Sequence, residues 1–529
     1  MTYDIQKVAV IGAGTMGGGI SAHLANIGIP VLLLDIVPPD VASQEVVDPE
    51  ARNLIVRAGY ERMMRAKPAN LASESRARFI ELGNTEDDFE KLTECDWIIE
   101  VIVERLEPKR DLMARIEEIR KPTTIVSSNT SGIPIQQIAA GRSDEFRAHF
   151  LGTHFFNPPR YLKLLEVIPT PDTDPAVLEY MVAFGRDVLG KGVVVAKDTP
   201  NFIANRYFAV AGAYGVEYAL EHGYSVEEVD NLTGPLMGRP KTATYRLLDL
   251  VGLDVMANVN ENLYEAIEDD PYRDILKGEH APSMISDMID RGWLGNKSGQ
   301  GFYRKTMVDG QREFWTLNPE TGEYQAPQKV RFDSVGAVRK IEDLGERLKA
   351  LLEHDDRGAQ YVRQQLYFSL AYAAHVTPEI AYSIKDVDDA LRWGFGHEAG
   401  PFEIWDRLGI EETVRAMESA GFEVADWVHT MLDKGVAQFY KDGAYYDFQT
   451  GEYCAIQSDP RVVDLEIMRS AGGEVEQNAS ASILDMGDGV ALLEFHAKMN
   501  ALDQDIIDLS LIHISEPRDR TRSRMPSSA

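Results

Sequence analysis

The stretch "KVAVIGAGTMG" (7–17) limits the possible folds more than any other part of the chain. A strand-like "KVAVI" runs into Gly12, and Gly14 and Gly17 complete a G-x-G-x-x-G spacing ahead of a helical pattern. A strand that turns so tightly into a helix starts a parallel α/β sheet. The first glycine permits the turn, the second lets backbone approach a pyrophosphate, and the third lets helix and strand pack closely. Thr15 and Met16 open the helix at its phosphate-facing end. "PVLLLDI" reads as the second strand, and its Asp35 stands 18 residues past Gly17, where a carboxylate takes a ribose 2′-hydroxyl. Asp35 would repel a 2′-phosphate and no Arg or Lys follows directly, so the pattern favours NAD over NADP.

Further strand-like segments follow in "CDWIIEVIVE", "TTIVSSNTS", "FRAHFLGTHFFNPP" and "LKLLEVIP", alternating with helical patterns as a mostly parallel, doubly covered sheet requires. This α/β, Rossmann-type domain is expected over 1–197. Amphipathic helices take over from "KDTPNFIANRYFAVAGAYGVEYALEHG", with Pro200 near a helix start and Gly223 near its end, and continue to "NKSGQGFYR", giving a helical domain at 198–305. A hairpin-bearing connector at 306–340 leads to a second helical domain at 341–440. "GYSVEEVDNLTGPLMGRPKTATYRLLDLVGLD" (223–254) and "AYSIKDVDDALRWGFGHEAGPFEIWDRLGIE" (381–411) correspond at an offset of 158, slipping to 157, and read as two copies of one all-α domain. Arg363 stands where the first copy has Asn205. Residues 441–480 read as a linker with short strands, 481–508 as a short strand pair turning at Asp488-Gly489, and 509–529 as a disordered or non-native basic tail.

A chain of 529 residues suits three or four domains. The formal charge of −31 disfavours nucleic acid and anionic membrane as partners. Cys95 and Cys454 show neither a disulfide framework nor metal-like spacing, which suits a reducing cytosol and predicts no metal. The first residues enter a strand pattern without a secretory h-region, and no run of 18 apolar residues occurs, so a cytoplasmic protein without a membrane span is expected.

Chemistry is concentrated in "HFFNPPRYLKLLEV" (154–167), where Glu166 lies inside an apolar run. An unpaired carboxylate there costs several kcal/mol, so it needs a partner. The loop carrying His154 precedes the strand carrying Glu166, which makes the imidazole the expected partner; the carboxylate would fix its tautomer and stabilise the imidazolium. "SSNTSG" follows the strand "TTIVS" at the carboxyl edge of the sheet, where ligands bind in such folds.

Taken together, Gly12 to Gly17, Asp35, "EVIVERLEPK", "SNTSG", "HFFNPPRYLKLLEV", "KDTPNFIANR" and "NKSGQGFY" resemble the 3-hydroxyacyl-CoA dehydrogenases of fatty acid β-oxidation, over about residues 5 to 305. The layout is similar to bacterial fused dehydrogenase/enoyl-CoA hydratase proteins, ending within a crotonase-like start. The resemblance implies that His154 is the general base, Glu166 its orienting carboxylate, and Ser131 and Asn205 the hydrogen-bond donors to the substrate oxygen. Glu104 and Lys109 would line the dinucleotide site, Lys297 would lie near its nicotinamide end, and Asn157, grouped with these cofactor-side residues, would help order the site. NAD is the implied cofactor and an acyl-CoA the implied substrate. A homodimer or a pseudo-dimeric monomer, and a β-oxidation thiolase partner, are the implied assemblies.

The chain departs from the family at Gly132, where many relatives carry serine, and over Pro38 to Phe79, which looks shortened. Arg52, Arg57, Arg62 and Lys67 are the candidates there for CoA phosphates. Hydratase activity is not expected, because that fold's acid/base carboxylates fall beyond residue 508. Two other readings stand beside the dehydrogenase: a β-hydroxyacid dehydrogenase relying on a lysine base, and a non-catalytic subunit that keeps the fold.

Overall fold

The computed structural model describes residues 3–42, 48–457, 459, 461–463 and 465–515. Its first feature is an eight-stranded sheet with β1 (Val8–Ile11), β2 (Val31–Asp35), β3 (Ile80–Asn84), β4 (Trp97–Glu100), β5 (Ile125–Ser128), β6 (Phe150–Phe155), β7 (Leu164–Pro169) and β8 (Gly192–Val195). Their order is β3-β2-β1-β4-β5-β6-β7-β8. All neighbours are parallel except β6 and β7, which are antiparallel.

Successive strand residues point to opposite faces, and both faces are covered, so the central strands read as continuous apolar runs. Ala9, Ile11, Leu32, Leu34, Ile98 and Val126 join one buried cluster. The alternate residues Val8, Val10, Val31, Leu33, Trp97 and Ile99 join another. Cutting any of the larger ones to alanine would cost about 2–5 kcal/mol. Numbering helices of seven residues or more, α1 (Thr15–Asn26), α2 (Leu54–Arg65), α3 (Leu106–Ile119) and α4 (Pro175–Asp187) accompany this sheet.

The helical part starts with α5 (Ala204–Glu221), followed by α6 (Val226–Thr233), α7 (Tyr245–Val251), α8 (Leu253–Ala266) and α9 (Ala281–Asp290). Strands β9 (Tyr303–Val308) and β10 (Gln311–Leu317) then form a hairpin, turning at Asp309-Gly310 with positive φ at both residues. Next come α10 (Leu344–Leu352), α11 (Arg357–Ile380), α12 (Ile384–Phe395), α13 (Pro401–Leu408), α14 (Ile410–Ser419) and α15 (Asp426–Asp433). Helices α5 and α11 pack closely because Gly215 lacks a Cβ, which would lie 1.9 Å from Gln365 Oε1. Tyr214 stacks on Phe368 across the same seam at 4.0 Å.

Aspartates, buried at Asp249 and Asp388 and half-buried at Asp230 and Asp406, tie each helical region together. Asp230 accepts from the N–H groups of Thr244, Tyr245 and Arg246 and from the Tyr303 hydroxyl. Asp388 accepts from the N–H groups of Phe402 and Glu403 and from the Tyr440 hydroxyl. Asp249 receives the N–H groups of Phe302 and Tyr303, and Asp406 those of Phe439 and Tyr440. Arg363, expected to sit in Asn205's place, donates to the carbonyls of Leu352 and His354.

The contacts divide the chain into a large unit, 1–440 with 445–453, and a small one, 441–444 with 454–529. In the small unit β11 (Glu474–Gln477), β12 (Ala481–Asp485) and β13 (Ala491–Phe495) form an antiparallel sheet beside α16 (Gln504–Ser515). One expectation is corrected here: the presumed tail is helical to Ser515, and Ile506 and Leu509 bury with Ala481 and Ile483, while the strand at Glu474 falls among the short strands expected of the linker. The remainder of that tail, 516–529, lies outside the described residues. Among the described residues no helix is long and apolar enough to cross a membrane, and no cluster of His, Cys, Asp or Glu could hold a metal ion.

Candidate active site

The glycine loop has the geometry its spacing predicts. Gly12 has φ +110°, and a Cβ there would lie 2.3 Å from the Val101 carbonyl oxygen. A Cβ on Gly17 would lie 1.7 Å from the Gly12 carbonyl oxygen, whereas at Gly14 it would meet nothing within 4 Å. Helix α1 has no side-chain cap and no acidic residue in its first turn, so its N–H groups stay open to an anion. Thr15 is exposed and Met16 half-buried at this end. Asp35 closes β2, its Oδ2 accepting the Ala13 N–H at 2.7 Å and its Oδ1 the Ile36 N–H at 2.7 Å. The open helix end, the space at Gly14 and the Asp35 carboxylate fit a dinucleotide.

His154 lies within β6 itself and not in the loop expected to carry it. The antiparallel register sets it directly opposite Glu166 on β7. Such cross-strand pairs share one face of the sheet, so the two side chains meet. His154 Nδ1 lies 2.7 Å from Glu166 Oε2, with the glutamate fully buried. The other oxygen, Oε1, accepts the N–H groups of Ile203 at 3.2 Å and Ala204 at 2.9 Å, at the start of α5. Glu166 thus has two sets of partners, and they hold the carboxylate rigidly. The chain reaches this point through Asn201 and Phe202, both with positive φ, an uncommon conformation for such residues. Phe202 and Phe156 wall the imidazole, at ring distances of 5.6 and 4.6 Å. His154 Nε2 has no partner among the described residues.

The Ser131 loop is held by Glu104, which accepts from the Thr130 hydroxyl and from the N–H groups of Ser131 at 3.0 Å and Gly132 at 3.2 Å. Burial pushes the Glu104 pKa up, but the Lys109 charge and these three donors outweigh it and hold the carboxylate below its usual range. Lys109 is buried between Glu100 at 2.6 Å and Glu104 at 3.3 Å. It therefore supports the site through Glu104. Asp198 accepts the N–H groups of Ile135 at 2.6 Å and Gln136 at 2.8 Å, and a Cβ on Gly132 would come within 3.0 Å of Asn201 Oδ1. These contacts bring the Ser131 loop to the segment that enters α5. Neither the Ser131 hydroxyl nor the Asn205 amide has a partner among the described residues.

Asn157 is exposed, just beyond the Phe156 wall. Lys297 pairs with Asp254 inside the helical region, and no contact joins it to the His154 group among the described residues. Of the basic candidates for CoA, Arg52 is spent on Asp87 at 2.7 Å and Arg57 lies 3.5 Å from Glu50. Three supporting residues escaped the sequence reading. Asn129 Oδ1 accepts the Phe155 N–H beside His154, Asp198 joins two loops, and buried Lys191 donates to the carbonyls of Pro159 and Leu162. The polar runs "SSNTS" and "KD" were the signals for Asn129 and Asp198, and nothing in the sequence marked Lys191.

Comparison with known proteins agrees with this geometry. The model of the 3-hydroxyacyl-CoA dehydrogenase NAD-binding domain matches residues 7–199, and that of the family's C-terminal domain matches 202–305. A probable 3-hydroxyacyl-CoA dehydrogenase of Bacillus subtilis is 47% identical over 521 residues, covering 96% of this chain and 64% of that protein. One from Deinococcus radiodurans is 49% identical over 306 residues, covering 57% of this chain and 83% of the relative. This chain therefore spans about two thirds of the Bacillus protein's length, 64%. The crystal structure of Escherichia coli 3-hydroxybutyryl-CoA dehydrogenase shares the fold, with TM-score 0.58, 23% identity, and coverage of 82% of this chain and 99% of that one. With both domain models running in order from the glycine loop to the end of the first helical region, the chain belongs to the 3-hydroxyacyl-CoA dehydrogenase family.

Proposed function

We propose that this chain oxidises (S)-3-hydroxyacyl-CoA to 3-ketoacyl-CoA with NAD, in fatty acid β-oxidation. The observation that carries this is the His154 Nδ1 to Glu166 Oε2 contact of 2.7 Å, with Nε2 left unpartnered among the described residues. Glu166 accepts a hydrogen bond from Nδ1–H, which makes Nε2 the basic nitrogen. Nε2 accepts the proton of the substrate's 3-hydroxyl, and Glu166 stabilises the imidazolium that results. The Ser131 hydroxyl and the Asn205 amide hydrogen-bond the same oxygen and orient it. Bound NAD supplies the acceptor for the hydride from C3. In reduction the His154 imidazolium returns the proton. The test is NADH oxidation by the purified chain with acetoacetyl-CoA, beside an NADPH control. Rapid NADH-specific turnover is expected; no turnover with NADH still bound would overturn the reading.

The two helical regions are read as copies of one domain, forming a pseudo-dimeric monomer rather than a homodimer. Support comes from the paired aspartate networks at an offset of 158 for Asp230 and Asp388 and 157 for Asp249 and Asp406. The small unit is read as the start of a crotonase-like fold without hydratase activity. Among the described residues its buried cluster comprises Ala481, Ile483, Ile506 and Leu509, a small core. A thiolase partner and a cytoplasmic location belong to the same reading, the latter supported by two free cysteines, Cys95 and Cys454.

A further inference from the structure

Strand β4 ends on a second buried carboxylate, which no step of the proposed reaction uses. Glu100 is fully buried at the carboxyl edge of the sheet, in register with Ile11 on β1 and Ser128 on β5. Its Oε1 accepts from Lys109 Nζ at 2.6 Å and from the Ile102 N–H at 2.8 Å, and its Oε2 accepts from the Ser128 hydroxyl at 2.5 Å. The Ser128 oxygen in turn accepts the Thr130 N–H at 3.2 Å, and the Glu100 carbonyl accepts the Asn129 N–H at 2.9 Å. Glu100 therefore anchors the strand end from which the Ser131 loop departs.

Lys109 needs one counter-charge and has two. Its side chain is 1% exposed, and an ammonium so buried is strongly unfavourable without a paired carboxylate. Glu104 alone would supply that pair, so the second carboxylate calls for another reason. The distances give it. Lys109 makes its short, charge-assisted bond to Glu100, whereas Glu104 Oε2 stands off at 3.3 Å. Glu104 Oε1 is committed elsewhere, to the Thr130 hydroxyl and to the N–H groups of Ser131 and Gly132. With Glu104 as its one charged partner, Lys109 would draw that carboxylate in and loosen its hold on the three donors.

We propose that Glu100 is a positioning residue for the reaction: it takes up the Lys109 charge so that Glu104 stays free to fix the Ser131 loop. This rests on the dehydrogenase reading, in which the Ser131 hydroxyl orients the substrate oxygen. In Glu100→Gln the amide oxygen keeps Lys109 and the Ile102 N–H, and the amide NH2 faces the Ser128 oxygen, so the chain should fold, but Lys109 then turns to Glu104. Acetoacetyl-CoA-dependent NADH oxidation should show kcat lowered about ten- to a hundredfold, as for a small displacement of a group that orients the substrate. KM for NADH should stay within about threefold of wild type, and amide hydrogen exchange over 129–133 should quicken. Two comparisons separate positioning from ordinary structural support. In a Ser131→Ala background, Glu100→Gln should lower kcat by less than about threefold further, because both act through one hydroxyl. Adding Lys109→Met to Glu100→Gln removes the charge that disturbs Glu104, and should restore slow exchange over 129–133 and raise kcat at least about threefold above Glu100→Gln. That neutral pair also decides the matter should Glu100→Gln alone not fold. Fully multiplicative losses with Ser131→Ala, wild-type kcat in Glu100→Gln, or exchange over 129–133 that stays fast in Glu100→Gln/Lys109→Met would overturn the proposal. Absence of turnover in the wild-type chain would instead fail the dehydrogenase reading, and the exchange measurements would still decide whether Glu100 holds the loop.

Discussion

Replacing Glu166 with glutamine changes one atom but leaves no good arrangement of donors and acceptors. Oε2 faces His154 Nδ1 at 2.7 Å, and Oε1 faces the N–H groups of Ile203 and Ala204 at 3.2 and 2.9 Å. If the amide oxygen keeps the two backbone N–H groups, the amide NH2 points at Nδ1. That nitrogen must then accept, the ring changes tautomer, and Nε2 carries the proton and cannot act as base. If the amide turns round, its NH2 meets two buried N–H donors, at about 1–3 kcal/mol for each group left unsatisfied. The first arrangement is cheaper, so the protein should fold with a stability loss of at most about 3 kcal/mol. Turnover should fall about 10²–10⁴-fold, the usual contribution of a positioned acid/base. The assay is the initial rate of acetoacetyl-CoA-dependent NADH oxidation, with NADH binding measured separately. A Glu166→Gln enzyme within about threefold of wild type would refute the reasoning, since tautomer control would then contribute far less than a positioned base normally does.

Other consequences follow from the cofactor side and from burial. Gly17→Ala places a Cβ where the Gly12 carbonyl oxygen lies 1.7 Å away, so the loop must shift; NADH affinity should collapse and thermal stability fall by about 1–3 kcal/mol. Asp35→Ala should raise the KM for NADH about ten- to a hundredfold, the worth of a hydrogen bond to a charged group, and narrow the gap to NADPH in steady-state kinetics. Burial, then the Lys191 charge, push His23 down to about 4. The unfolded chain therefore binds the proton first as pH falls below about 6.5, and stability drops down to the folded value near 4. His23→Gln can keep the contact with the Leu189 carbonyl, and by denaturant unfolding it should lose about 2 kcal/mol less than wild type between pH 7 and 5.

The sheet was legible because strand residues alternate between two buried faces, so Val8 to Ile11 and Val31 to Leu34 could hardly be anything else. The His154–Glu166 pair was legible for a different reason: a carboxylate in an apolar strand demands a partner, and the neighbouring strand carried one imidazole. What the sequence did not reveal depends on tertiary strain. The N–H groups of Ile203 and Ala204 reach Glu166 only because Asn201 and Phe202 adopt positive φ, which their residue types do not announce. Glu104 and Lys109 were noticed as residues near a ligand, whereas their partners make them supports of the Ser131 loop. Helix α16 went unseen because its apolar residues were divided at residue 509 between a presumed strand pair and a presumed basic tail, although Ile506 and Leu509 on either side of that boundary share one buried cluster.

The central claim is that His154 carries the proton in the reaction. The measurement that tests it most directly is acetoacetyl-CoA-dependent NADH oxidation by His154→Ala, alongside NADH binding followed by fluorescence. Turnover lowered by about 10²–10⁴ with NADH binding nearly intact is the predicted result. Wild-type turnover in the variant would contradict it, and loss of NADH binding together with the fold would make His154 a core residue instead of a base.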